Sequence, residues 1–64
     1  MDKERAAMVL TDAGYECENV SGVLMVVVGP EKRQALGSEL EKVGKLLRSA
    51  GYESSYGVKV GDGR

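Results

Sequence analysis

The chain has 64 residues, nine Lys plus Arg against ten Asp plus Glu, no histidine and one cysteine. A single domain of this size buries only about 60% of the surface its unfolded chain exposes, yet one cysteine excludes an internal disulfide and one thiol without histidine excludes a structural zinc site of four Cys or His ligands. A formal charge of −1 favours neither phosphate backbones nor acidic membranes. The charged opening Met1-Asp2-Lys3-Glu4-Arg5 lacks the apolar stretch of a signal peptide, and the longest apolar run, Val23 to Val28, is far short of a membrane helix. These points lead to the expectation of a cytoplasmic protein with no metal and no cofactor, for which association with another chain is the stabilising aid still open.

In chain order, Asp2 is a good N-cap, and Ala6, Val9, Leu10 and Ala13 place one apolar stripe on a first helix over residues 3–13. Gly14 ends it. Residues 15–20 then alternate as an outer strand, with Tyr15, Cys17 and Asn19 on one face and Glu16, Glu18 and Val20 on the other. Ser21-Gly22 is a two-residue hairpin connection, and Val23 to Val28 pairs back as the second strand. Gly29-Pro30 stops that strand. A second helix follows, beginning either at Pro30 or at Ser38, where Glu41 three residues on completes a capping-box pattern. Leu36, Leu40, Val43, Leu47 and Ala50 form its apolar stripe, and Ser38, Glu41, Lys42, Lys45 and Arg48 gather on the opposite side. Gly37 and Gly44 lie on one margin of the stripe, where another backbone could approach closely. The second helix ends as the first does. Leu10-Thr11-Asp12-Ala13-Gly14-Tyr15-Glu16 returns as Leu47-Arg48-Ser49-Ala50-Gly51-Tyr52-Glu53, in each case a Schellman stop in which glycine turns left-handed and tyrosine folds back on leucine. The third strand, over 53–60, carries Tyr56, Val58 and Val60 on one face.

The order α-β-β-α-β predicts an α+β domain over residues 1–60, with two helices on one face of a three-stranded mixed sheet and residues 61–64 as a flexible tail. The preferred topology sets the last strand parallel to and beside Val23 to Val28, which becomes the central strand. That arrangement is related to a ferredoxin-like fold lacking its first strand, an analogy of element order that carries no function. A duplicated α-β-β unit is the alternative. The first helix, ending Leu10-x-x-Ala13-Gly14-Tyr15 ahead of a hairpin, resembles the opening of small double-stranded-RNA-binding-like toxins of toxin–antitoxin systems. Those toxins rely on a histidine after the hairpin glycine, where this chain has Val23, so the resemblance transfers no activity.

The central strand poses the functional question, because both of its faces are apolar and two helices cover only one. Either the chain ends or residues 29–37 fold over the second face, or a second copy or another protein covers it. The expected interaction surface comprises Leu24, Val26 and Val28, with Tyr56 as a further surface contact, and the expected role is a non-catalytic interaction domain that self-associates through a sheet face or edge strand. Catalysis is not expected. Cys17 is the one strong nucleophile by type, but it stands between Glu16 and Glu18 with no histidine to activate it, so structural burial is the preferred reading. Gly29-Pro30-Glu31-Lys32-Arg33 is a poor match to a phosphate loop, since Glu31 opposes an anion there. The alternative function is nucleic-acid binding or regulation through Lys42, Lys45 and Arg48, joined by Lys32, Arg33 and Lys59. It is disfavoured by Glu39 and Glu41 on the same helix and by the lack of a stacking aromatic pair on a strand.

Overall fold

A computed structural model describes residues 1–61. Helix α1 spans Lys3–Asp12, strands β1 and β2 span Glu16–Val20 and Val23–Val28, a 3₁₀ segment covers Pro30–Ala35, helix α2 spans Leu36–Ala50, and strand β3 spans Tyr56–Val60. The sheet order is β1-β2-β3, with β1 antiparallel and β3 parallel to the central β2. This is the α+β architecture that the element order implies. Gly61, placed in the tail by the sequence, donates its N–H to the Val28 carbonyl at 2.8 Å and so prolongs the β2–β3 ladder; the rest of that tail lies outside the described residues.

Local chemistry sets each boundary. The Asp2 carboxylate accepts the Arg5 N–H at 2.9 Å and caps α1. Both helices end in the Schellman pattern. Tyr15 and Tyr52 donate their N–H groups to Leu10 and Leu47 at 2.9 Å, while Gly14 and Gly51 donate to Thr11 and Arg48. Tyr52 is almost fully buried, its hydroxyl donating to the Ser55 carbonyl at 2.8 Å. The hairpin turns at Ser21 and Gly22, both at positive φ, and the Asn19 side-chain oxygen accepts the Gly22 N–H.

The start of α2 is neither of the two positions that the sequence suggests. Pro30 begins a tight 3₁₀ segment, its first turn closed by Lys32 N–H to Gly29 carbonyl at 2.9 Å, and the α-helix proper begins only at Leu36. Ser38 therefore lies inside the first turn of the helix and caps nothing. The consequence is that Glu39 comes to stand beside Lys32.

The core lies between the helices and one face of the sheet. Ala6 and Leu10 of α1, Val43 and Leu47 of α2, Leu24, Val26 and Val28 of β2, and Tyr52 form its buried centre, with Tyr56, Val58 and Val60 packed at its margin. Alternation along β2 is strict: Leu24, Val26 and Val28 are buried, while Val23, Met25 and Val27 are only half-buried.

Candidate interaction surface

Strand register assigns every side chain of the sheet to a face. Cys17 and Asn19 oppose Val26 and Leu24, while Tyr56, Val58 and Val60 sit beside Leu24, Val26 and Val28, so all of these face the helices. The open face consists of Glu16, Glu18 and Val20 from β1, Val23, Met25 and Val27 from β2, and Gly57 and Lys59 from β3. This corrects the sequence reading. Leu24, Val26 and Val28 are core residues beneath the helices and are not accessible to a partner.

The signal that identifies the correct face was present in the hairpin. A two-residue turn pairs Val20 with Val23, which puts Val23 on the side of Glu18 and Val20 rather than on the side of Cys17. Two carboxylates on one strand face mark that face as the solvated one.

The open face is apolar along β2 but partly shielded by its own residues. Position 57 carries no side chain, and a methyl group there would lie 3.0 Å from the Met25 sulfur, so Met25 lies across Gly57. Lys59 of β3 forms an ion pair with Glu18 of β1, which spans the central strand. Val20, 40% exposed, ends the apolar stripe at the hairpin.

Tyr56 is not on this face either. Its ring lies against α2, and a methyl group at position 44 would stand 2.5 Å from the Tyr56 hydroxyl oxygen and 3.6 Å from an Arg48 guanidinium nitrogen. The missing side chain at Gly44 is what lets the tyrosine seat there. Two shallow depressions flank it. One is lined by Leu40, Glu41, Gly44, Lys45 and Arg48, the other by Leu36, Gly37, Leu40, Gly57, Val58 and Met25. Leu40 belongs to both and is 41% exposed, a surface leucine that the helical stripe had assigned to the core.

The basic stripe of α2 is divided. Lys42 Nζ lies 3.6 Å and Lys32 Nζ 3.5 Å from the Glu39 carboxylate, which is itself only 4% exposed. Lys45 and Arg48 instead border Tyr56 on the other flank. Lys42 thus pairs with a buried carboxylate, whereas Lys45 and Arg48 border an aromatic ring.

Cys17 is half-buried beneath α1, and burial pushes its thiol above the ordinary value of 9.0. The physical cause differs from the one its sequence neighbours suggest, because strand alternation turns Glu16 and Glu18 to the opposite face. Either way the thiolate is disfavoured. Among the described residues, no three carboxylate or thiol groups converge as a metal site, and no helix is long and apolar enough to cross a membrane. Compared with known protein families, curated proteins and solved structures, the chain shows no significant match to any of them.

Proposed function

We propose that this chain is a small non-catalytic interaction domain that associates with a second copy of itself through its sheet. The observation that carries this reading is the apolar surface left by a one-sided helix layer. Val20, Val23, Met25 and Val27 line the open face, and Leu40 stands exposed beside the β3 edge. A 64-residue domain has little core to spare, and apolar surface of this kind is normally covered by association. A thiol held in its neutral form and a chain without histidine support the non-catalytic part of the proposal. The unpaired cysteine supports a cytoplasmic setting.

Sedimentation velocity over a concentration series from the micromolar to the millimolar range tests the proposal. The expected result is a rise in weight-average mass from one chain to two. A constant monomer mass across the whole series would sink it.

A further inference from the structure

We infer that the flank of α2 beside Tyr56 binds a phosphate monoester that carries an apolar body, such as an aryl phosphate. The inference is independent of self-association, since none of the polar groups involved lies on the open sheet face. It begins with the cations. Lys32 and Lys42 pair with Glu39, and Lys59 pairs with Glu18. Lys45 and Arg48, neighbours one turn apart on α2, form no ion pair among the described residues. Both line a depression of about 370 Å³ that also borders Tyr56. Gly44 leaves the space between them open: the Tyr56 hydroxyl oxygen and an Arg48 guanidinium nitrogen both stand within 4 Å of the point that a Cβ of residue 44 would occupy. Tyr52 donates its hydroxyl proton to Ser55, whereas the Tyr56 hydroxyl has no hydrogen-bond partner among the described residues. No buried side-chain polar atom there lacks a partner. The Tyr56 hydroxyl is therefore not sealed in and opens to the depression.

The lining selects an anion by its donors. A guanidinium, an ammonium and a phenolic hydroxyl meet there, and Glu41 is the one carboxylate against the two cations. The local charge is therefore positive. A phosphate monoester brings a charge of about −1.5 to −2 at pH 7 and three strong acceptor oxygens, one for each donor group. A carboxylate brings a single charge and two oxygens. The planar fork of Arg48 suits two phosphate oxygens at once, while Lys45 acts as a point charge and Tyr56 donates one hydrogen bond.

The apolar body has its own place. Leu40 lines this depression and also a second one of about 320 Å³, formed with Leu36, Met25 and Val58. An exposed leucine thus joins a cationic pocket to an apolar one. With its phosphate on Arg48 and Lys45, a ligand lays its apolar part over Leu40 toward Val58 and removes that surface from water, a gain that inorganic phosphate does not have. Both depressions are shallow and the two cations are exposed, so the affinity is weak and falls with salt.

Amide chemical-shift titration at constant chain concentration with phenyl phosphate, inorganic phosphate and benzyl alcohol tests the site, with circular dichroism confirming that each variant stays folded. Phenyl phosphate is expected to saturate in the millimolar range and to shift residues 40–48 and 56–58. Inorganic phosphate is expected to shift the cationic end alone, and more weakly. Arg48→Gln and Lys45→Gln should each raise the phenyl phosphate dissociation constant roughly tenfold. Arg5→Gln, the same loss of charge at an exposed position of α1, should leave it unchanged. Tyr56→Phe keeps the ring and should raise the constant by a smaller factor, whereas Glu41→Gln should lower it. The absence of saturable shifts at Lys45, Arg48 and Tyr56 overturns the site. Equal weakening by Arg5→Gln and Arg48→Gln overturns it too, because net charge alone then explains the binding. Benzyl alcohol binding as tightly as phenyl phosphate overturns the phosphate assignment, and inorganic phosphate binding as tightly overturns the apolar body.

Discussion

Gly14 and Gly51 hold φ at +97° and +94°, the left-handed region in which any side chain is strained. A methyl group at either position meets nothing within 4 Å, so backbone strain is the whole cost of substitution. Gly14→Ala and Gly51→Ala are each expected to lower stability by about 1 kcal/mol, read from the urea midpoint at unchanged m. Cys17 gives a prediction of the opposite character, in pH rather than in strain. The folded state keeps the thiol proton to higher pH than the unfolded state. As pH rises through 9.0 the unfolded thiol ionises first, so stability declines across the window between 9.0 and the folded value and levels off above it. Alkylation rates of the native chain against pH should give a midpoint above 9.0, and Cys17→Ser should remove that part of the alkaline decline.

At the scale of elements, the contact of Tyr56 with Gly44 ties β3 to α2. Alanine inside a helix is favoured over glycine by roughly 0.8–1.0 kcal/mol. Against that gain stands a contact of 2.5 Å with the Tyr56 hydroxyl oxygen, which forces the ring to shift out of its seat. The two effects are separable. Gly44→Ala alone is expected to be neutral or destabilising, and the same change in a Tyr56→Phe background to be stabilising by up to about 1 kcal/mol. A double-mutant cycle by urea unfolding measures the difference, and additive effects would show that the hydroxyl is not the obstacle. The Glu18–Lys59 pair acts between elements in a similar way, but both partners are largely exposed, so its worth is at most about 1 kcal/mol and falls with salt.

For the whole molecule, the small core decides. A chain of this length has a stability of roughly 3–10 kcal/mol at ordinary values per residue. Leu47 is fully buried between the helices and the sheet, and Leu47→Ala is expected to cost about 2–5 kcal/mol, enough to leave much of the chain unfolded at 37 °C by circular dichroism. The proposed self-association predicts a second signature. A domain that pairs with its own copy melts at a temperature that rises with protein concentration, because the folded state alone binds the partner. Calorimetry at two concentrations tenfold or more apart should show that rise, and an unchanged melting temperature would count against self-association.

Local chemistry determined the elements of this protein. Asp2, the paired Leu-x-x-Ala-Gly-Tyr-Glu stops, Ser21-Gly22 and Gly29-Pro30 each act within a few residues, and the boundaries lie close to where sequence pattern puts them except at the start of α2 and at that of β3, which begins at Tyr56 rather than Glu53. The faces of the outer strand were legible too, since alternation is a property of one strand. What the pattern of β2 by itself could not decide was which of its apolar faces the helices cover. Val23 to Val28 is apolar on both sides, so its own pattern has no preference, and only its register with the charged strand β1 removes the degeneracy. The same holds for Leu40. Helical period puts it on the apolar stripe, but its exposure depends on α2 ending its contact with the sheet at the β3 edge, a boundary between elements that no single-element pattern encodes. Edge and face are relations between strands, and they exist only once the sheet is assembled.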